Sequence, residues 1–203
     1  MATTAAPYGL RPIRRSDGMP YAGSTNQYLI DPAGEGTNLF YGQAVIIGAD
    51  GYIALATGSG ADLTSNSISG TTGVGAIGVF VGCEYVNSSG QTVQDQHYPS
   101  GTANGGAIKA YVIDDPNVLF QAQLDGTGAQ TIIGTNTFFA AAQSTSTGST
   151  TTGNSTSALD ATVKTAAAAF RIVSHVSDPS DAFPDVLVKF NPGAHQMTNN
   201  VGL

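Results

Sequence analysis

The sequence predicts a mainly β protein, built as a small β-barrel or sandwich with long loops rich in Gly, Ser and Thr. About seven short runs of β-branched and aromatic residues recur at spacings of roughly ten to twenty residues, with turn residues between them. No stretch has the apolar periodicity of a convincing amphipathic helix. Charged residues make up only 10% of the 203 positions, whereas glycine alone occupies 26. This composition favours a structural protein that works by contact with other subunits.

The element with the strongest sequence signal is a hairpin. Residues 44–48 are rich in β-branched side chains, Ala49-Asp50-Gly51 predicts a tight turn, and residues 52–56 alternate as the return strand. Residues 57–75 contain little apolar bulk and predict a loop. The remaining strands are predicted at 76–86, 108–113, 118–124, 170–176 and 186–190, and turns at 87–90, 114–117, 125–126 and 178–181.

Several segments give weaker patterns. Residues 92–98 form a polar excursion, and residues 128–143 fit either a strand with a short helix or two short strands. The alanines at 166–169 favour a helix by propensity, but the pattern after them favours a strand that begins among them. Residues 144–157 contain eleven Ser or Thr among fourteen, so this tract is either a surface loop or a segment held by a neighbour.

We therefore divide the chain into an extended N-terminal arm (1–40), a β-rich body (41–192) and a C-terminal tail (193–203). Four prolines in the arm disfavour a helix or a central strand. Such an arm is expected to order only on another surface, because ordering costs about 1–2 kcal/mol per residue of backbone entropy. Apolar anchors such as Tyr8 and Leu10 could offset that cost on a partner.

The apolar content is low for a chain of this length. Ile, Leu, Val and Phe number 44 of 203 residues, just above the roughly 20% below which chains tend to stay disordered. Neighbouring subunits are therefore expected to help stabilise the fold. No window approaches eighteen consecutive apolar residues, so no membrane-spanning helix is predicted.

Charge is distributed unevenly along the chain. The net charge is −7, but residues 1–15 contain Arg11, Arg14 and Arg15 and no acid. An acidic body disfavours direct binding of nucleic acid. Arginine forms bidentate pairs with carboxylates, so the three arginines predict docking onto an acidic groove of a protein partner, with a solvated tail as the alternative.

The sequence contains no pattern that points to an enzyme, a cofactor or a metal site. Residues 73–78 fit the spacing G-x-G-x-x-G, but a polar loop precedes them and a strand follows, instead of the strand and helix that a dinucleotide site requires. The three histidines are far apart in sequence. The single cysteine, Cys83, lies in an apolar run and is expected to be buried. The adjacent Asp114 and Asp115 precede a proline and predict a turn.

Six segments are distinctive: APYGLRPI (6–13), GSTNQY (23–28), GVFVGCEY (78–85), HYP (97–99), AYVIDDP (110–116) and TTGNS (151–155). Together they resemble segments of virion structural proteins of marine tailed bacteriophages. The hairpin at Asp50-Gly51, leading to Gly78-Val79, is more loosely similar to head-decoration, or capsid cement, proteins. Members of that group are small β-folds with an extended N-terminal arm, often trimeric, that clamp neighbouring capsid subunits.

The resemblance implies a non-enzymatic protein on the capsid surface of a virion, with the major capsid protein as partner and self-association as a trimer. The residues expected to contact the capsid lie in the arm: Tyr8, Leu10, Arg11, Ile13, Arg14 and Arg15. The alternatives are a tail or neck component of the virion, a host-carbohydrate-binding β-module, and a hydrolase with dispersed acids.

Overall fold

The computed structural model describes residues 4–56, 75–101, 106–144 and 147–198, so most of the predicted loop at 57–75 lies outside the described residues. Within these ranges, two single-turn 3-10 helices, Gln130–Ile132 and Pro192–Ala194, accompany thirteen strands. In chain order the strands are β1 (Arg11–Arg15), β2 (Asn26–Ile30), β3 (Leu39–Phe40), β4 (Ala44–Ile47), β5 (Ile53–Leu55), β6 (Gly78–Val86), β7 (Thr92–Asp95), β8 (His97–Tyr98), β9 (Ile108–Ile113), β10 (Val118–Gln123), β11 (Asn136–Thr137), β12 (Phe170–His175) and β13 (Asp185–Phe190).

The strands form two sandwich-like sheets, which confirms the mainly β prediction. Sheet A has the order β1-β10-β13-β12-β11, and sheet B has the order β2-β9-β6-β4-β5, with β7 paired to the far end of β6. A two-stranded ladder of β3 and β8 completes the set. All of these strand pairs are antiparallel, and the described strands do not close into a barrel.

Each sheet contributes one face to the main apolar core. Alternate residues of sheet A strands, among them Phe120, Ile172 and Val188, point inward. They meet residues from one end of sheet B, such as Val79 and Ile113. This arrangement leaves the opposite face of sheet A directed away from the core.

A second apolar core lies on the other face of sheet B. Phe80 and Val112 point into it from the sheet, and Leu39 and Tyr98 cover it from the β3–β8 ladder. The side chains of Leu39, Phe80 and Tyr98 are fully buried. Residues 92–98, predicted as a polar excursion, therefore supply two short strands, one of which closes this core.

Residues 4–40 differ from the arm that the sequence predicts for residues 1–40. They are extended, but β1 pairs with β10 at the edge of sheet A, and β2 pairs with β9 at the edge of sheet B. Extended backbone needs partners for its N–H and C=O groups, and the edge strands of the same chain provide them here. Pro12 is accommodated because β1 is an edge strand.

The weaker sequence patterns also take definite forms. Residues 128–143 contain a 3-10 turn and the two-residue strand β11. The alanines at 166–169 lie in neither helix nor strand. Side-chain amides bind their backbone instead: Asn136 Nδ2 donates to Ala166 O (2.8 Å) and Asn191 Nδ2 to Ala168 O (2.7 Å).

The described part of the Ser/Thr-rich tract is held by its own chain. Tyr41 N donates to Gly153 O (3.0 Å), and Ser155 N donates to Tyr41 O (2.9 Å). The start of the predicted tail is likewise held, since Ala194 lies in the main core and Ala76 bridges to His195.

Candidate docking surface on the outer face of sheet A

The six residues predicted to contact a capsid lie in or just before β1, and the structure separates them into four environments. Leu10 is fully buried in the main core, beside Gly42. A side chain at this depth has no access to a partner, so the prediction for Leu10 is corrected. The alternation of an edge strand explains the difference, because neighbouring residues of β1 point to opposite faces of sheet A.

Tyr8 and Arg11 stand together on the outer face of sheet A. The guanidinium carbon of Arg11 lies 4.9 Å from the centroid of the Tyr8 ring, which is cation–π geometry. Arg11 pairs in register with Gln121 of β10 and is exposed. Burial and the nearby carboxylate of Asp185 raise the pKa of the half-buried Tyr8, so its hydroxyl stays protonated.

Ile13 and Arg14 are exposed where the register of β1 shifts. The irregularity lies between Pro12 and Arg14, and it leaves the Ile13 side chain 40% exposed. Arg14 then stands opposite Leu119 of β10. Both residues are accessible to a partner, as a docking role requires.

Arg15 forms ion pairs within its own chain. Its Nη1 lies 3.0 Å from Asp115 Oδ2 and its Nε lies 3.3 Å from Asp17 Oδ2. These pairs tie the β9–β10 turn to the loop after β1. The arginine is nearly half exposed, so each pair contributes at most about 1 kcal/mol.

Two further basic residues, missed by the sequence analysis, share the outer face. Arg171 lies between the buried Phe170 and Ile172 on β12, and Lys189 lies between the buried Val188 and Phe190 on β13. Strict alternation therefore directs both basic side chains outward. That alternation was visible in the sequence, but pairing with β1 was not.

Asn136 of β11 positions the guanidinium of Arg171. Arg171 Nε donates to Asn136 Oδ1 (2.6 Å), which also accepts from Asn191 Nδ2 (3.1 Å). Asn136 is only 6% exposed and stands opposite Arg171 in the β11–β12 register. The buried amide of Asn136 thus holds the Nε end of the exposed Arg171 guanidinium in place.

The register arranges the cations in a row across the sheet. Arg171 faces Lys189 across the β12–β13 pair, and Arg14 faces Leu119 across the β1–β10 pair. Continuing the β10–β13 register places Leu119 beside Lys189. Leu119 is only 3% exposed although it belongs to the outer face, which fits coverage by the aliphatic stems of its basic neighbours.

We call the surface formed by Arg11, Arg14, Arg171 and Lys189 the basic face. The five strands of sheet A carry five basic residues and one acid, hence a formal charge of +4. The rest of the chain carries two basic and thirteen acidic residues, hence −11. Sheet A is therefore a positively charged element in an acidic protein.

The cations of the basic face have no carboxylate partner within salt-bridge distance among the described residues. By contrast, Arg15 pairs with Asp17 and Asp115, and Lys109 Nζ lies 2.7 Å from Glu84 Oε1. Unpaired cations on one face are available to an acidic surface from another molecule.

The other reactive side chains have structural roles within the described residues. Burial raises the pKa of the Cys83 thiol to about 12, so the thiol is protonated. Asp114 Oδ2 accepts hydrogen bonds from Asn26 Nδ2 (2.7 Å) and from the Tyr28 hydroxyl (2.6 Å). No group of three or more metal-ligating side chains occurs in the described ranges.

Comparison of the chain with protein-family models, with curated proteins and with solved structures finds no match. Within the described residues, neither helix has the length or apolar character that a membrane span needs.

Proposed function

We propose that this chain is a non-enzymatic structural protein of a tailed-phage virion, which binds the capsid surface and stabilises it as a cement or decoration protein. The resemblance of its N-terminal and central segments to virion proteins supports the virion setting. The observation that carries the binding role is the basic face, with four cations and no internal carboxylate partner among the described residues.

The partner in this proposal is an acidic surface of the major capsid protein. Charge complementarity gives register and fast association more than raw affinity. Exposed charge pairs are individually weak, at about 0–1 kcal/mol each. An assembled lattice multiplies such contacts when the protein self-associates, as a trimer in this proposal, because several sites then engage at once.

Nucleic acid is a poorer partner for the same surface. Four cations are available, whereas the remaining chain carries a formal charge of −11. Repulsion between that acidic remainder and a phosphate backbone opposes close approach.

The test measures occupancy of purified particles that lack the protein. The double variant Arg14→Glu/Arg171→Glu should lose most of its particle binding, and wild-type binding should weaken as salt is raised. The matched control is Lys109→Gln, which removes a cation from sheet B and should leave binding unchanged. Full occupancy by the double variant would contradict the role of the basic face.

Copy number tests the location separately. Quantitative mass spectrometry of virions should find several hundred copies per particle for a head protein. A few dozen copies or fewer would contradict the cement role and favour the tail or neck.

A further inference from the structure

A shallow pocket lies on sheet B, away from the basic face. Its volume is about 330 Å³, and the residues that line it are Val81, Gly82, Cys83, Gln94, Asp95, Gln96 and Tyr111. It sits where β6, β7 and β9 meet, beyond the end of sheet B that packs into the main core. A pocket of this size is at the small end of ligand sites.

A β-bulge creates the space. The β6–β9 register shifts between Phe80 and Gly82, so Val81 is the extra residue and Gly82 pairs with Tyr111. Because Gly82 has no side chain, the space beside the Tyr111 ring stays open. A Cβ at Gly82 would also come within 3.0 Å of Asp95 O on β7.

One wall of the pocket is fixed by a polar network. Glu84 Oε1 accepts from Lys109 Nζ (2.7 Å), and Glu84 Oε2 accepts from Gln94 Nε2 (3.0 Å). Two hydrogen bonds lower the pKa of Glu84, and the bond from Lys109 has a larger effect than the bond from Gln94. The Glu84 carboxylate is therefore ionised and held in place. The Gln94 amide is thereby oriented beside the pocket.

The lining selects one class of ligand. No lysine or arginine lines the pocket among the described residues, which disfavours phosphates and other anions. The side chains of Gln94 and Gln96 make the lining polar, which disfavours a lipid or another wholly apolar ligand. The Asp95 carboxylate accepts a hydrogen bond from His97 N (3.2 Å) instead.

Neutral rings that carry several hydroxyl groups match the polar and aromatic side chains that line the pocket. Amide side chains both donate and accept hydrogen bonds, as the hydroxyls of a sugar require. The electron-rich face of a tyrosine attracts the polarised C–H groups on one face of a sugar ring. We propose that this pocket binds a neutral sugar residue of a glycan, with Tyr111 as the stacking platform and Gln94 as a hydrogen-bonding partner.

Sugar binding is independent of capsid docking, because the pocket lies on sheet B and the basic face lies on sheet A. It can therefore be tested with the isolated protein. The experiment is an NMR titration of the full chain with glucose, galactose and N-acetylglucosamine, each raised to tens of millimolar. Glycerol and inorganic phosphate serve as comparison probes. We expect saturable shifts of the Gly82, Gln94 and Tyr111 amides with at least one of the sugars, and none with phosphate.

Variants decide whether the pocket is responsible. Tyr111→Ala should weaken the affinity for that sugar about tenfold or more. Tyr52→Ala, at a half-buried tyrosine of the β4–β5 turn, should leave it unchanged. If Tyr111→Ala does not fold, Gln94→Ala gives the same test at an exposed position. The proposal is overturned if none of the three sugars gives saturable shifts, if phosphate binds instead, or if the folded variants keep wild-type affinity.

Discussion

Arg171 and Lys189 stand directly opposite each other on β12 and β13, and both side chains point away from the core. Like charges in directly opposed positions of an antiparallel pair are destabilising. Among the described residues neither cation has a carboxylate within salt-bridge distance to offset that repulsion. The arrangement costs stability in the isolated chain and provides charge for a partner.

We expect Lys189→Glu to stabilise the isolated protein and to weaken its binding to particles. The new carboxylate would face Arg171, and an opposite-charge pair across two strands is worth about 0.2–1 kcal/mol. Thermal unfolding of the purified protein measures the first effect, and particle occupancy measures the second. A variant that is less stable but binds fully would contradict the role assigned to this cation pair.

The Lys109→Glu variant provides a control of opposite sign for stability. Lys109 is paired with Glu84 across β9 and β6, so a carboxylate there would create repulsion where an ion pair now exists. We expect this variant to lose stability and to keep its particle occupancy.

The side chain of Gln143 makes hydrogen bonds to the backbone of Ala44 of the kind that a neighbouring strand would make. Its Oε1 accepts from Ala44 N (3.0 Å), and its Nε2 donates to Ala44 O (3.1 Å) and to Ala56 O (3.0 Å). The side chain is only 2% exposed. Gln143→Ala would leave the Ala44 N–H buried without its partner, at a cost of about 1–3 kcal/mol.

Urea unfolding measures this loss. Gln130→Ala, at an exposed glutamine of the 3-10 turn, should change the free energy of unfolding by less than about 0.5 kcal/mol. Equal effects of the two substitutions would show that the bonds from Gln143 add nothing to stability.

His195 makes stability depend on pH. Desolvation lowers the pKa of this buried imidazole, against an opposing effect of Asp114 and Asp115. Above the unfolded-state value of about 6.5, the imidazole is neutral in both states and its contribution to stability is fully present. As pH falls below that value, the unfolded chain binds the proton more readily, so the free energy of unfolding decreases.

The His195→Gln variant should remove this part of the pH dependence. We expect the loss of stability between mildly alkaline and mildly acidic pH to be smaller in the variant than in the wild type. The measurement is the free energy of unfolding from urea titrations at each pH. An unchanged loss would assign the acid sensitivity to other groups.

The sequence predicted the sheets better than the surface they form. The hairpin around Asp50-Gly51 and the strands at 108–113 and 118–123 follow from local alternation and turn residues, which short segments express by themselves. Arg11 and Arg14 are exposed, and their contact with a capsid stays a prediction. Arg171 joins them only through pairing between strands far apart in the chain, and no local pattern encodes that register.

The N-terminal region shows the same limit. Prolines and isolated apolar residues suggest an arm, because the local sequence has no pattern that predicts a helix or a strand. The free edges of β9 and β10 supply its partners, and those edges exist only after the sheets have formed. Leu10 is buried and Arg15 is paired for this reason, although both looked available to another subunit.

Gly148 leaves room for the ring of Phe40, so a side chain there should destabilise the Ser/Thr-rich segment. A Cβ at Gly148 would lie 2.1 Å from Phe40 Cδ2. The ring has little freedom to move, since it is fully buried and stacks on His97 with centroids 5.8 Å apart. Gly148→Ala should therefore cost about 1–3 kcal/mol by overpacking, as measured by urea unfolding.

A matched glycine and a double variant separate the clash from the general effect of replacing glycine. Gly36→Ala adds a Cβ in open space and should change stability by no more than about 1 kcal/mol. Phe40→Leu combined with Gly148→Ala should cost less than the two single changes added together, because the smaller side chain relieves the contact. Strict additivity would mean that the two residues do not press on each other.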